Sequence, residues 1–128
     1  MKSIKILIAM MFAITSVQFL NAQESKSKLL NFDPKPKPVT FKVYGECSMC
    51  KHRIENALKV DGIKSASWNV DTKILTVQYV LTADITGENK IHELIASVGH
   101  DTDKYKASNE VYNNLPGCCH YERAKANN

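Results

Sequence analysis

Between Val39 and Lys106 the hydrophobic period of the chain switches four times, and that succession limits the possible folds more than any bulk property does. Val39, Phe41 and Val43 alternate with Thr40, Lys42 and Tyr44, the period-two pattern of a strand with one buried face, ending at Gly45. Cys47-Ser48-Met49-Cys50 follows. Ile54, Ala57 and Leu58 then share one side of a helix, opened by the second cysteine, that runs to about Lys59 and stops at Asp61-Gly62. Ala66, Trp68 and Val70, and after a turn at Asp71-Thr72-Lys73 also Leu75, Val77 and Tyr79, read as a β-hairpin. Ile91, Leu94, Ile95 and Val98 recur at helical spacing from about Gly87 to Val98, and Gly99 closes that helix. Residues His100–Lys106 make a short last strand.

The order β-α-β-β-α-β is that of the ferredoxin-like split fold, an α+β sandwich. Each helix has one apolar stripe, so the two can cover a single face of a four-stranded antiparallel sheet. Trp68, on the same face as Ala66 and Val70, is expected beneath those helices, whereas His52 and His92 sit among charged helix residues and read as surface. About seventy residues make a thin core, adequate for a small binding module. The unit spans 39–106. Residues 107–128 fall outside it as a C-terminal tail that carries Cys118-Cys119-His120.

The start of the chain is of another kind. Met1-Lys2-Ser3-Ile4-Lys5 is basic, Ile6 to Leu20 is apolar, and Ala22 offers the small residue a signal peptidase requires. Residues 1–22 therefore read as a cleaved export signal, which places the mature protein in the periplasm or outside the cell. The run of about fifteen residues is short of the ~20 that a retained membrane anchor needs, so no stable membrane insertion is expected. Residues 23–38, with prolines at 34, 36 and 38, read as an extended spacer. Lys2 and Lys5 leave with the signal, which takes Lys+Arg from 17 to 15 against 13 acids. With no dense basic patch, nucleic acid is not an expected partner.

Cys47 and Cys50 lie where the first strand meets the first helix. Their spacing lets both sulfurs point at one spot, and the helix N-terminus favours thiolate over thiol. Two close thiolates on an open loop suit a soft ion of low coordination number, copper(I) or mercury(II), whereas zinc(II) asks for four ligands. Val43-Tyr44-Gly45-Glu46-Cys47-Ser48-Met49-Cys50, with Ile54-Glu55-Asn56-Ala57-Leu58, Asp61-Gly62-Ile63 and the Gly99 turn, resembles the heavy-metal-associated domain family over about residues 39–106. That family includes copper chaperones, N-terminal modules of copper-transporting ATPases and the periplasmic mercury-binding protein. The resemblance implies a βαββαβ fold and metal held by Cys47 and Cys50. It also implies transfer to or from a partner protein, such as a membrane transporter, with no enzymatic step. Members usually carry Gly-Met-x-Cys; here only Glu46 separates Gly45 from Cys47, so the loop is one residue shorter and the usual methionine is missing.

The expected function is thus an exported, monomeric carrier of copper(I), with mercury(II), silver(I) or zinc(II) as further ions. Two other readings use the same residues. A CxxC at a helix start also lowers the thiol pKa of thiol-disulfide oxidoreductases, although no Trp precedes Cys47 and residues 39–115 contain no proline to face the thiols. Alternatively the cysteines pair as disulfides, or bind zinc, in an interaction module. The remaining candidates stay open. Cys118 and Cys119, with His120, either fold back as extra soft ligands or form disulfides to the motif or between chains. Met49 either packs beneath the loop or offers its thioether. His100 is either a ligand or tuner of the thiolates, or an exposed loop residue.

Overall fold

The structure, a computed structural model, describes residues 35–124. The export signal and most of the spacer lie outside the described residues. The chain enters the sheet at β1 (Lys37–Lys42), which takes the last two residues of the segment read as spacer, and continues through α1 (Ser48–Ala57), β2 (Ile63–Trp68), β3 (Ile74–Tyr79) and α2 (Glu88–Ser97). Beyond these come α3 (Asn109–Asn113) and a single 3-10 turn at Gly117–Cys119. The fold is the ferredoxin-like α+β arrangement, with an antiparallel sheet in the order β1-β3-β2.

Register explains which face the sheet buries. Phe41 and Trp68 both lie opposite Leu75, and Val39 and Ala66 both lie opposite Val77, so these side chains share one face. Phe41, Trp68, Leu75 and Val77 are buried together with Ile54 and Leu58 from α1 and Ile91 and Ile95 from α2. Thr76 and Gln78, which point the other way, are exposed. Helix α1 is fixed to the end of β2 by a polar clamp. Glu55 Oε1 accepts from the Trp68 N–H at 2.9 Å, while Lys51 Nζ donates to Glu55 at 2.5 Å and to the Trp68 carbonyl at 2.7 Å.

The sheet has three strands, not the expected four. Residues after His100 come alongside β1, where Val43 and Thr102 form one antiparallel bridge, but the ladder stops there. Thr102 is the cause. Its Oγ1 accepts from the N–H groups of Lys104 and Tyr105, and its own N–H donates to the Tyr105 carbonyl, so the chain turns. Donors satisfied locally by a threonine are no longer available to a sheet.

His92, expected at the surface, is fully buried. Its ring stacks on Phe41 with centroids 3.8 Å apart, and Nδ1 meets Thr102 Oγ1 at 2.7 Å. The helix stripe from Ile91 to Ile95 is wide enough to carry it inward, and Thr102 makes burial tolerable by satisfying a ring nitrogen.

The tail folds back onto this unit. Leu115, Cys119 and Tyr121 join the same buried cluster as Trp68. Their socket is the turn that ends α2. Gly99 has φ +99, and a Cβ there would come within 2.8 Å of Leu115 Cδ2, so both backbone conformation and space require glycine. The Tyr121 hydroxyl donates to the Gly99 carbonyl and accepts from the Asp101 N–H, each at 2.8 Å. Asp101, 1% exposed, holds Arg123 through two hydrogen bonds of 2.8 and 2.6 Å and also accepts from the Ala107 N–H.

Two outcomes are expected from this architecture. Burial holds the imidazoles of His92 and His100 below the ordinary 6.5. The unfolded chain then binds more protons than the folded one below that value, so stability is full above pH 6.5 and falls as the pH drops through the folded-state values. Urea titrations across this window should show the decline, and His92→Gln should make it shallower while lowering stability at neutral pH. Arg123→Ala leaves the Asp101 carboxylate buried without its charge partner, a destabilisation of about 3 kcal/mol. The midpoint of urea unfolding should move accordingly; an unchanged midpoint would show that the pair does not hold the tail.

Candidate metal centre

The loop from β1 to α1 is pinned before it reaches the first cysteine. Trp68 Nε1 donates to the Val43 carbonyl at 3.1 Å, the Tyr44 N–H donates to the Asp101 carbonyl at 2.9 Å, and His100 Nδ1 donates to the Tyr44 carbonyl at 2.8 Å. The indole also fills the space beneath the loop. A Cβ at Gly45 would stand 3.0 Å from Trp68 Cη2 and 3.1 Å from Cys50 Cβ, so any larger residue would press the indole and the cysteine aside by a few tenths of an ångström.

Helix α1 starts at Ser48, earlier than the pattern suggests, which makes Cys47 its N-cap residue in extended conformation. The half-buried Cys47 sulfur therefore faces the free amides of the first turn. The Cys50 amide is the largest influence that brings its thiol down from 9.0 to about 7, against desolvation, with help from the thiols of Cys118 and Cys50 and the Met49 amide. Cys50 is fully buried, accepts from the Glu46 N–H at 3.4 Å, and its sulfur is 3.7 Å from that of Cys47.

A third sulfur completes the group. Cys119, fully buried, brings its sulfur to 4.0 Å from Cys47, and the three sulfurs lie within 4.8 Å of one another. Burial raises the Cys119 thiol pKa well above its ordinary value, and the neighbouring Cys50 and Cys47 raise it further. All four cysteines are free thiols. The cluster is made of soft donors, a set suited to thiophilic cations.

The other candidates fall elsewhere. Cys118 is exposed and donates to Met49 Sδ at 3.4 Å, at the rim of the cluster. Met49 is 50% exposed, so it does not fill the space under the loop; Trp68 does. His120 is exposed and stacked on Tyr112. His100 is buried, not an exposed loop residue, and lies outside the converging group. With Nδ1 committed to the Tyr44 carbonyl, it acts as a strut between the loop and the Gly99 turn. Trp68, Asp101, Tyr121 and Arg123 escaped sequence reasoning as positioning residues. Each has a partner 20 or more residues away, Val43 for Trp68, Tyr121 and Arg123 for Asp101, and Gly99 for Tyr121; for the last three the only local signal was closeness in sequence to Gly99 or Cys119.

Alkylation of the reduced protein tests this electrostatic picture. The Cys47 rate should rise through a midpoint near pH 7, because the thiolate is the reacting form, while Cys119 stays unmodified in the folded protein. A Cys47 midpoint at the ordinary 9.0 would show that the helix amides do not act on it.

The heavy-metal-associated domain model matches residues 40–101. No curated protein sequence matches the chain. Among solved structures, the N-terminal domain of the zinc(II) ATPase ziaa in its apo form is 35% identical, with 52% of this chain and 94% of that one covered and a TM-score of 0.44. The N-terminal domain of a potential copper-translocating P-type ATPase from Bacillus subtilis, in the Cu(I)-loaded state, is 25% identical (52% and 84% covered, TM-score 0.46). The CopZ metallochaperone is 28% identical (52% and 98% covered, TM-score 0.46). On the match over residues 40–101, and with the β-α-β-β-α order of its elements, that segment of the chain is a heavy-metal-associated domain.

Proposed function

We propose that the protein captures a soft metal ion, copper(I) foremost, between the thiolates of Cys47 and Cys50 and hands it to another protein by thiolate exchange. The observation that carries this reading is the pair of sulfurs 3.7 Å apart at a helix N-terminus, one half-buried and one fully buried. The two have different duties. Cys47, ionised near neutral pH and open to solvent, engages an incoming partner first. Cys50, enclosed by Gly45 and Trp68, lets go last.

In the exchange, a partner thiolate forms a bond to the ion, one protein–metal bond breaks, and the ion is never free. Each thiol that becomes a ligand releases its proton, so capture strengthens as pH rises. Copper(I), silver(I) and mercury(II) suit such a site; zinc(II) would want further ligands. Membrane metal transporters are the partner class we favour, since modules named as parts of metal ATPases share this domain. An exported monomer is the form we propose, on the strength of the basic-apolar start at residues 1–22 and the small size of the domain. Among the described residues no helix is long and apolar enough to cross a membrane.

Anaerobic titration with copper(I) against a competing chelator tests the reading. One equivalent should bind to the reduced protein. Cys47→Ser and Cys50→Ser should each weaken binding by at least about 100-fold, the upper end of what loss of an outer contact to a ligand costs. Unchanged affinity in both variants would refute the site. Turnover of a disulfide substrate by the metal-free protein would instead place it with the redox enzymes.

A further inference from the structure

The tail doublet Cys118-Cys119 is the one motif that a two-thiolate site leaves without a role, and the structure treats its two members differently. One thiol is exposed and the other is sealed into the core beside the capturing pair. We infer that Cys119 is a third ligand to the same ion, so that the resting site is a trithiolate and the bound cation is three-coordinate. This rests on the reading of Cys47 and Cys50 as the capturing pair.

Distance is the first argument. Sulfurs about 2.3 Å from an ion, as in zinc thiolates, stand about 4.0 Å apart when three of them share a plane with it. The separations of 3.7 and 4.0 Å, with all three sulfurs inside 4.8 Å, already approximate that triangle. Little movement is needed to close it.

Rigidity is the second. A buried free cysteine often serves simply as a small apolar residue. Here, however, the backbone on both sides of it is tied down. Leu115 packs on Gly99, the Cys119 N–H donates to the Pro116 carbonyl at 2.8 Å, and the Tyr121 hydroxyl bridges Gly99 and Asp101. Two residues further on, Arg123 locks onto Asp101. The same Asp101 receives the Tyr44 N–H from the metal loop. One turn thus sets the positions of both the loop and the tail, which is how a ligand set drawn from distant segments is preorganised.

A third thiolate changes the handover. A partner thiolate cannot simply add to an open ion; it must displace Cys119. The metal–sulfur bond to Cys119 breaks as the bond to the partner sulfur forms, the partner thiol loses a proton and the Cys119 sulfur gains one from water. No electron changes hands. The tail therefore makes the protein hold its ion longer than a two-thiolate module would.

The test is the sulfur count around copper(I) by X-ray absorption, on the full reduced chain loaded anaerobically with one equivalent, together with the rate at which a chelator removes the ion. Three sulfurs are expected in the wild type and in Cys118→Ala. Two are expected in Cys119→Ala, with removal faster by at least about tenfold. Two sulfurs in the wild type, three retained in Cys119→Ala, or a loss that follows Cys118→Ala instead would each overturn the third ligand. Circular dichroism shows whether Cys119→Ala folds; if it does not, the wild-type and Cys118→Ala counts decide. A two-sulfur wild-type site that is lost in Cys47→Ala would leave the capturing pair intact and remove only Cys119. No copper binding in the wild type would instead overturn the capturing pair, and Cys119 with it.

Discussion

The carboxylate of Asp101 is 1% exposed, and the placement of the sulfur cluster depends on how that buried charge is satisfied. An ionised group withdrawn from water is tolerable only when it is paired and fully hydrogen-bonded. Asp101 meets that demand with the fork of Arg123 and the N–H of Ala107, which draws residues 107 and 123 to the end of α2. Its main chain meanwhile holds Tyr44 on one side and the Tyr121 hydroxyl on the other. A single residue therefore organises the loop that carries Cys47 and Cys50 and the tail that carries Cys119.

Trp68 is the second organiser. Its position in β2 is set by pairing with β3, and its main chain is gripped by Lys51 and Glu55 of α1. The indole then reaches under the loop, donates to Val43 and lies so close to residue 45 that glycine fits there with the least displacement. In the shortened loop, where the family's methionine is absent, this ring provides the floor. Met49 is left at the rim beside Cys118. The division of labour follows from size: an indole spans the distance from strand to loop and satisfies its one polar atom on arrival.

Much of the fold was legible because it is periodic. The alternation at Val39, Phe41 and Val43 and the stripes of α1 and α2 depend on local geometry, and they gave the elements in the right order with boundaries off by a few residues. The fourth strand failed for a local reason that alternation does not encode, since Thr102 captured the donors a ladder needed. His92 failed for a tertiary reason. Nothing near it in sequence announces that Phe41 and Thr102 will enclose it.

The site divides along the same line. The sequence alone determined that Cys47 and Cys50 would sit together at a strand-to-helix junction, because three residues of spacing and one helix start are local facts. It also marked Cys118, Cys119 and His120 as candidates, but their distance from the motif left their roles open. Only the tertiary structure separated them, turning Cys119 inward and leaving Cys118 and His120 at the surface. The reason is that contact across 72 residues is fixed not by spacing but by what the intervening chain must bury and pair, and here that is Leu115, Tyr121 and the Asp101–Arg123 fork.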